Sequence, residues 1–259
     1  MQASAQTMNV GLLNVGDPAD CIVVKDLTDF KVLQTYIDGE MVAELGKTKI
    51  ETSKAAVINK FNCSKKTIDE LVVEYKGETS IPVIEALDGQ LITNKLSVAP
   101  KVESGKIISD IQHDILKMVV VNRYFNAPVA KTFIKNFGLT AGALASSVAH
   151  DSHNIVAVGV DDESLLKAIN LVIEAKGGVS AVMNEKEMIV SLPVAGLMSN
   201  EDGYKIANDY TAIDKMTKKE MGSKLGAPFM TLSFMALLVI PHLKLSDKGL
   251  FDGDSFKLL

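Results

Sequence analysis

Two histidines, an aspartate, a serine and an asparagine fall within five residues at His150, Asp151, Ser152, His153 and Asn154. Imidazole and carboxylate groups move protons near neutral pH, and amides and hydroxyls orient polar ligands, so this cluster suits a proton-transfer or ligand-contacting site. It lies between two runs of small and β-branched residues, 143–148 and 155–160, which places it in a tight connection at one edge of a sheet. A plain polar turn is the alternative reading, with Asp and Asn bonding their own backbone and the histidines bonding locally. His150 and His153 alone make a poor metal pair. At i and i+3 on a strand they point to opposite faces, and two ligands without a third hold a divalent ion weakly. Ser152 has neither a nucleophile elbow nor an oxyanion loop around it.

A second set, Phe229, Met230 and Ser233, could wall a pocket for a flat ring, or simply packs in the core. Of the other histidines, His113 stands beside Asp114 at a strand start and reads as exposed. His242 follows Pro241 and reads as a satisfied, partly buried residue.

Strands and short connections must position these groups. Residues 9–43 read as short strands, with a turn at Gly16-Asp17-Pro18 and a hairpin at Asp38-Gly39. Residues 44–64 are polar and Lys-rich, a connection. Residues 67–75 start as a short turn or helix and continue as a strand, LVVEY. Residues 81–96 give strands broken at Asp88-Gly89, and 115–121, ILKMVVV, reads as a buried strand. Residues 129–137 fit either element type. The clearest helix spans 161–176, with Leu165, Ile169, Val172 and Ile173 at helical period and Gly177-Gly178 as its stop. A hairpin-like pair follows at 179–183 and 188–192. A second helix is expected from Ser199, with Asp202 as a capping-box partner and Tyr204, Ile206, Tyr210 and Ile213 as its apolar face.

The 259 residues are 47% hydrophobic and 23% charged, enough to bury a sizeable core. A net charge of -5 argues against a nucleic-acid partner. Cys21 and Cys63 match no metal or redox spacing and read as reduced thiols. No secretory signal is visible. The longest apolar run, 234–240, is far below the roughly 20 residues of a membrane span. The expectation is a soluble, cytoplasmic chain with no membrane partner.

The pattern Gly11-x4-Gly16-Asp17-x-Ala19-Asp20-x2-Val23-Val24-x-Asp26, then Tyr36-Ile37-Asp38-Gly39-x-Met41-Val42, resembles the strand-rich module that resumes after the metal-binding barrel of the amidohydrolase superfamily. Residues 1–8 would then be the last of that barrel. Residues 146–159 (SSVAHDSHNIVAVG), 192–199 (LPVAGLMS) and 228–252 resemble the C-terminal domain of bacterial-type adenine deaminases.

The resemblance implies an α+β protein. Its N-terminal strand-rich (β-sandwich-like) module covers 1–64, and a larger domain of mostly antiparallel sheet with flanking helices covers 65–259. It implies hydrolysis of adenine to hypoxanthine and ammonia, with a divalent metal (manganese, iron or zinc) held by a barrel domain or chain of the same enzyme. It also implies a homo-oligomer and His150–Asn154 near the substrate. No cofactor is expected on this chain alone. Its four histidines include no His-x-His, and the cytidine-deaminase pattern is absent too. A non-catalytic assembly or regulatory module and a small-molecule-binding module stand as rival readings.

Overall fold

Asp38-Gly39 turns the chain with positive φ at both positions, +51° and +79°, as a two-residue hairpin demands. In the computed structural model, which describes residues 12–51 and 56–259, this turn joins the middle strands of a four-stranded antiparallel sheet. Its strands are β1 (Cys21–Val24), β2 (Val32–Ile37), β3 (Glu40–Glu44) and β4 (Lys47–Thr48), paired in sequence order. The first of the strands expected over 9–43 falls partly outside the described residues, and 12–13 are not strand. Residues 1–8 lie wholly outside them. No described residue of this sheet's unit is fully buried.

Two compact units divide the chain, Met1–Lys54 and Ala55–Leu259. The expected boundary lay ten residues later. Residues 58–64 bond into the larger unit: Asn59 Nδ2 donates to Lys176 O (2.6 Å) and Pro193 O (2.9 Å), and Asn62 N to Arg123 O (2.8 Å).

The larger unit first gives β5 (Ile81–Ala86), β6 (Thr93–Val98), β7 (Lys101–Glu103) and β8 (Lys106–Ile108). Next come β9 (Ile115–Val121), β10 (Ala130–Lys135), β11 (Ala143–Ser146) and β12 (Ile155–Gly159). Helix α1 (Asp162–Glu174) precedes β13 (Gly178–Met183) and β14 (Lys186–Ser191). Helices α2 (Gly203–Lys219) and α3 (Pro228–Phe234) then lead to β15 (Leu243–Ser246), β16 (Gly249–Asp252) and β17 (Lys257–Leu258). Eight strands form one sheet in the order β14-β13-β11-β12-β9-β10-β5-β6, antiparallel except between β10 and β5. The pair β7–β8 and the trio β15–β17 make smaller sheets.

Helices cover both faces of the large sheet, which explains its unbroken apolar strands. Leu116, Met118 and Val120 of β9 join Ile213, Met216, Phe229 and Leu232 of α2 and α3 in one core cluster. Val119 and Val121 face the other way, toward Leu165, Ile169 and Val172 of α1. A strand buried on both faces loses its alternation, so ILKMVVV reads ambiguously from periodicity alone. The architecture is α+β, as expected. Among the described residues no helix is long and apolar enough to cross a membrane.

Two elements differ from the sequence reading. The expected strand at 71–75 makes only an isolated bridge, Glu74 to Lys106. Val73 O accepts from Ile107 N (2.8 Å) and Tyr75 N donates to Gly105 O (2.9 Å), while Leu71 O is taken by Lys117 Nζ (3.1 Å), so the bonds never form a continuous ladder. The second helix starts at Gly203 rather than Ser199, because Asp202 is itself the cap and accepts from Lys205 N at 3.0 Å. Ser199 instead closes a local turn with Glu201 N. Of the expected apolar face Ile213 is fully buried, and Tyr204 and Tyr210 are exposed.

Lys244 on β15 is fully buried, its ammonium donating to Leu91 O (2.7 Å) and Phe234 O (3.0 Å). Burial pulls its pKa from 10.5 down to about 8. The unfolded chain therefore binds the extra proton between those two values, and stability rises with pH across that window. Below pH 8 the buried charge weighs fully against folding. The difference in unfolding free energy between wild type and Lys244→Met should shift toward wild type as pH rises from about 8. The slope approaches about 1.4 kcal/mol per pH unit. Denaturant midpoints at matched pH values measure it, and a pH-independent difference would remove Lys244 as the cause.

Candidate functional site

One end of the large sheet gathers several connections. β11 stops at Ser146 and β12 starts at Ile155, so residues 147–154 form the loop between them. Ile155 pairs with Val121, the last residue of β9, so Asn122, Arg123 and Tyr124 leave the sheet beside Asn154. On the other flank Val179 of β13 pairs with Ser146, and Gly178 pairs with Ser191 at the end of β14.

Hydrogen bonds fix this loop residue by residue. Ser147 is buried, its hydroxyl accepting from Gly178 N (2.8 Å) and donating to Gly196 O (2.6 Å). His150 N donates to Ser233 O (3.1 Å), and its ring lies against Phe234 with centroids 4.8 Å apart. His153 takes a left-handed φ of +52° and its N–H donates to Ala149 O (2.7 Å). The turn thus achieves what a strand would forbid: the His150 and His153 rings meet edge to face with centroids 5.7 Å apart. Asp151 and Ser152 are exposed, and Asn154 is buried, its Oδ1 accepting from Arg123 N at 3.2 Å. The five residues therefore split into an imidazole pair, two solvent-facing groups and one internal tie.

Phe229, Met230 and Ser233 line an adjoining pocket of about 530 Å³ with Ser146, Val148 and Tyr210. Its two serine hydroxyls already donate to main-chain carbonyls, Ser146 to Val148 O and Ser233 to Met230 O. The pocket offers apolar wall and few groups to read a purine edge. Within it Phe229 is buried core and Met230 is exposed.

Sequence reasoning missed Arg123, the only arginine in the sequence. It is 4% exposed, and no carboxylate among the described residues pairs with it. Its Nη2 donates to Tyr124 OH (3.1 Å), whose hydroxyl donates to Ser152 O (2.7 Å), and its Nη1 reaches Asn59 Oδ1 at 3.4 Å. The guanidinium lies over the rings of Tyr124 and Phe61 at 4.8 and 5.6 Å. The available signal was compositional: a chain that otherwise uses only lysine places one planar, forked cation after a buried strand. Burial holds the His153 pKa below its ordinary value, the charges of His150 and Arg123 push the same way, and Asp151 opposes them.

Among the described residues no group of three or more His, Cys, Asp or Glu side chains is placed to hold a metal ion. His113 is exposed and bonded to Asp110 (2.6 Å), and His242 pairs with Asp254 (2.5 Å).

A family model described as the adenine deaminase C-terminal domain matches residues 90–257. A protein of Sulfurovum sp. (strain NBC37-1) named adenine deaminase is 51% identical over 97% of this chain and 46% of its own length. Relatives with the same name are 47% identical in Borreliella burgdorferi, over 95% of this chain and 45% of theirs, and 49% identical in Methanosarcina acetivorans, over 97% and 47%. The chain spans about half the length of the curated relatives it matches. By the family model and these identities, the chain belongs to the adenine deaminase C-terminal domain family.

Proposed function

We propose that this chain is the substrate-proximal C-terminal part of an enzyme that hydrolyses adenine to hypoxanthine and ammonia. The observation that carries the reading is the 147–154 loop, which brings two imidazoles together at a sheet end in a chain of this family. Relatives twice as long leave room for a barrel domain or separate chain that would hold the divalent metal, whether manganese, iron or zinc. That metal would make hydroxide available near neutral pH. The residues of this chain would orient the purine and exclude bulk water. Assembly as a homo-oligomer and a cytoplasmic location complete the proposal.

The test is ammonia release from adenine. The chain alone, with divalent metal, should be silent, and the chain mixed with a separately produced barrel polypeptide should be active. Release by the chain alone would overturn the split of labour. A mixture that binds tightly yet stays silent would favour a non-catalytic assembly module.

A further inference from the structure

Two side-chain polar atoms among the described residues are buried without a hydrogen-bond partner, Arg123 Nε and His153 Nδ1. Both belong to the cluster at the sheet end. Neutral imidazole carries its proton on one nitrogen and a lone pair on the other, and the surroundings decide which. A buried, unpaired N–H is costlier than a buried, unpaired lone pair. Nδ1 of His153 is therefore the lone-pair nitrogen. Arg123, bearer of the other unpaired atom, adds a positive charge that disfavours a second N–H on the ring.

We propose that burial of Nδ1, supported by the charge of Arg123, keeps His153 a neutral imidazole with its proton on Nε2, so that the loop offers the substrate a hydrogen-bond donor and not a base. The inference rests on the loop being substrate-proximal and goes further by giving His153 its chemical role. An acceptor atom on a neutral heteroaromatic ring, a ring nitrogen or an exocyclic oxygen, is the partner such a donor takes. Arg123 acts through His153 and the loop backbone and is a positioning residue. Three contacts give it that reach: its own N–H on Asn154 Oδ1, its guanidinium on Tyr124 OH, and that hydroxyl on Ser152 O.

Charging the ring would place a second N–H at buried Nδ1. Burial acts first against the charged form, the charges of His150 and Arg123 act with it, and exposed Asp151 alone favours it. A neutral donor is available across the physiological range only if the ring resists protonation, and this environment makes it resist.

The test needs no activity. In the full chain labelled with nitrogen-15, two-bond proton–nitrogen spectra report which imidazole nitrogen is protonated, and a titration from about pH 5 to about 8 reports the pKa. His153 should show the Nε2–H form and titrate below the ordinary imidazole range. Arg123→Met should raise that pKa, and Arg123→Lys, which keeps the charge, should hold it low. If Arg123→Met does not fold, the wild-type tautomer and the Arg123→Lys titration still decide. An Nδ1–H form, or a His153 that titrates at or above the ordinary range, would overturn the inference and leave the proposed function standing.

In the complex with the barrel polypeptide, His153→Gln places an amide N–H near the position of Nε2. It should retain most of the turnover, while His153→Asn and His153→Ala should lose about a hundredfold. Equal losses in all three would show that His153 is needed as a base, and no loss in any would show that the loop stands away from the substrate.

Discussion

Asp162→Asn is expected to destabilise the larger unit by about 3 to 5 kcal/mol. The reason lies one layer away, on the central strand β9. The Lys117 side chain is 2% exposed and faces α1, where Asp162 in the first helical turn pairs with its ammonium and Leu71 O accepts a further bond at 3.1 Å. Burial already lowers the Lys117 pKa, and Asp162 is the group that offsets it. Asparagine keeps the size and an acceptor oxygen and removes the charge, leaving a buried ammonium with no counter-charge. Lys117→Met should cost far less, because it removes the buried charge and leaves Asp162 partly exposed and able to hydrate. Urea midpoints of the two variants measured side by side decide it. Equal losses would show that packing around the stem, and not the ion pair, carries the effect.

Gly196→Ala is the second substitution with a large expected effect, about 2 to 4 kcal/mol. Its φ is +71°, and a Cβ there would lie 1.9 Å from Arg123 Nη1. The guanidinium would have to leave its place between Gly196 and the rings of Phe61 and Tyr124. Ser147 Oγ bonds the Gly196 carbonyl, so the strain would pass to the start of the histidine loop. Gly203→Ala is the control, since open space surrounds that position at the start of α2. It should leave the midpoint nearly unchanged. Were the two alanine variants equally stable, the close approach at Gly196 would have no energetic weight.

How much of this was legible in the sequence depended on what each segment buries. Helix α1 was plain because one face meets the sheet, so Leu165, Ile169 and Val172 recur at helical period and Asp161 caps the start. The hairpins at Asp38-Gly39 and at 183–186 were plain because short turns leave strong residue signals. The boundaries of α2 and the failed strand at 71–75 were not legible. Each involves a side chain bonding main-chain groups, Asp202 in one case and Lys117 of β9 in the other. At the site, the histidine cluster was legible as a set of residue types. Its division of labour was not, because Asn154 turns inward and Arg123 arrives from a strand thirty residues earlier through sheet pairing.

The solitary arginine gives the molecule a single address for an arginine-specific endoprotease, and that address is closed while the sheet end is intact. Cleavage after Arg123 requires molecules in which this corner has opened. When opening and reclosing are fast relative to cleavage, the digestion rate counts the opened population directly. The residue that steadies the loop thus doubles as a built-in meter of how often the loop comes undone.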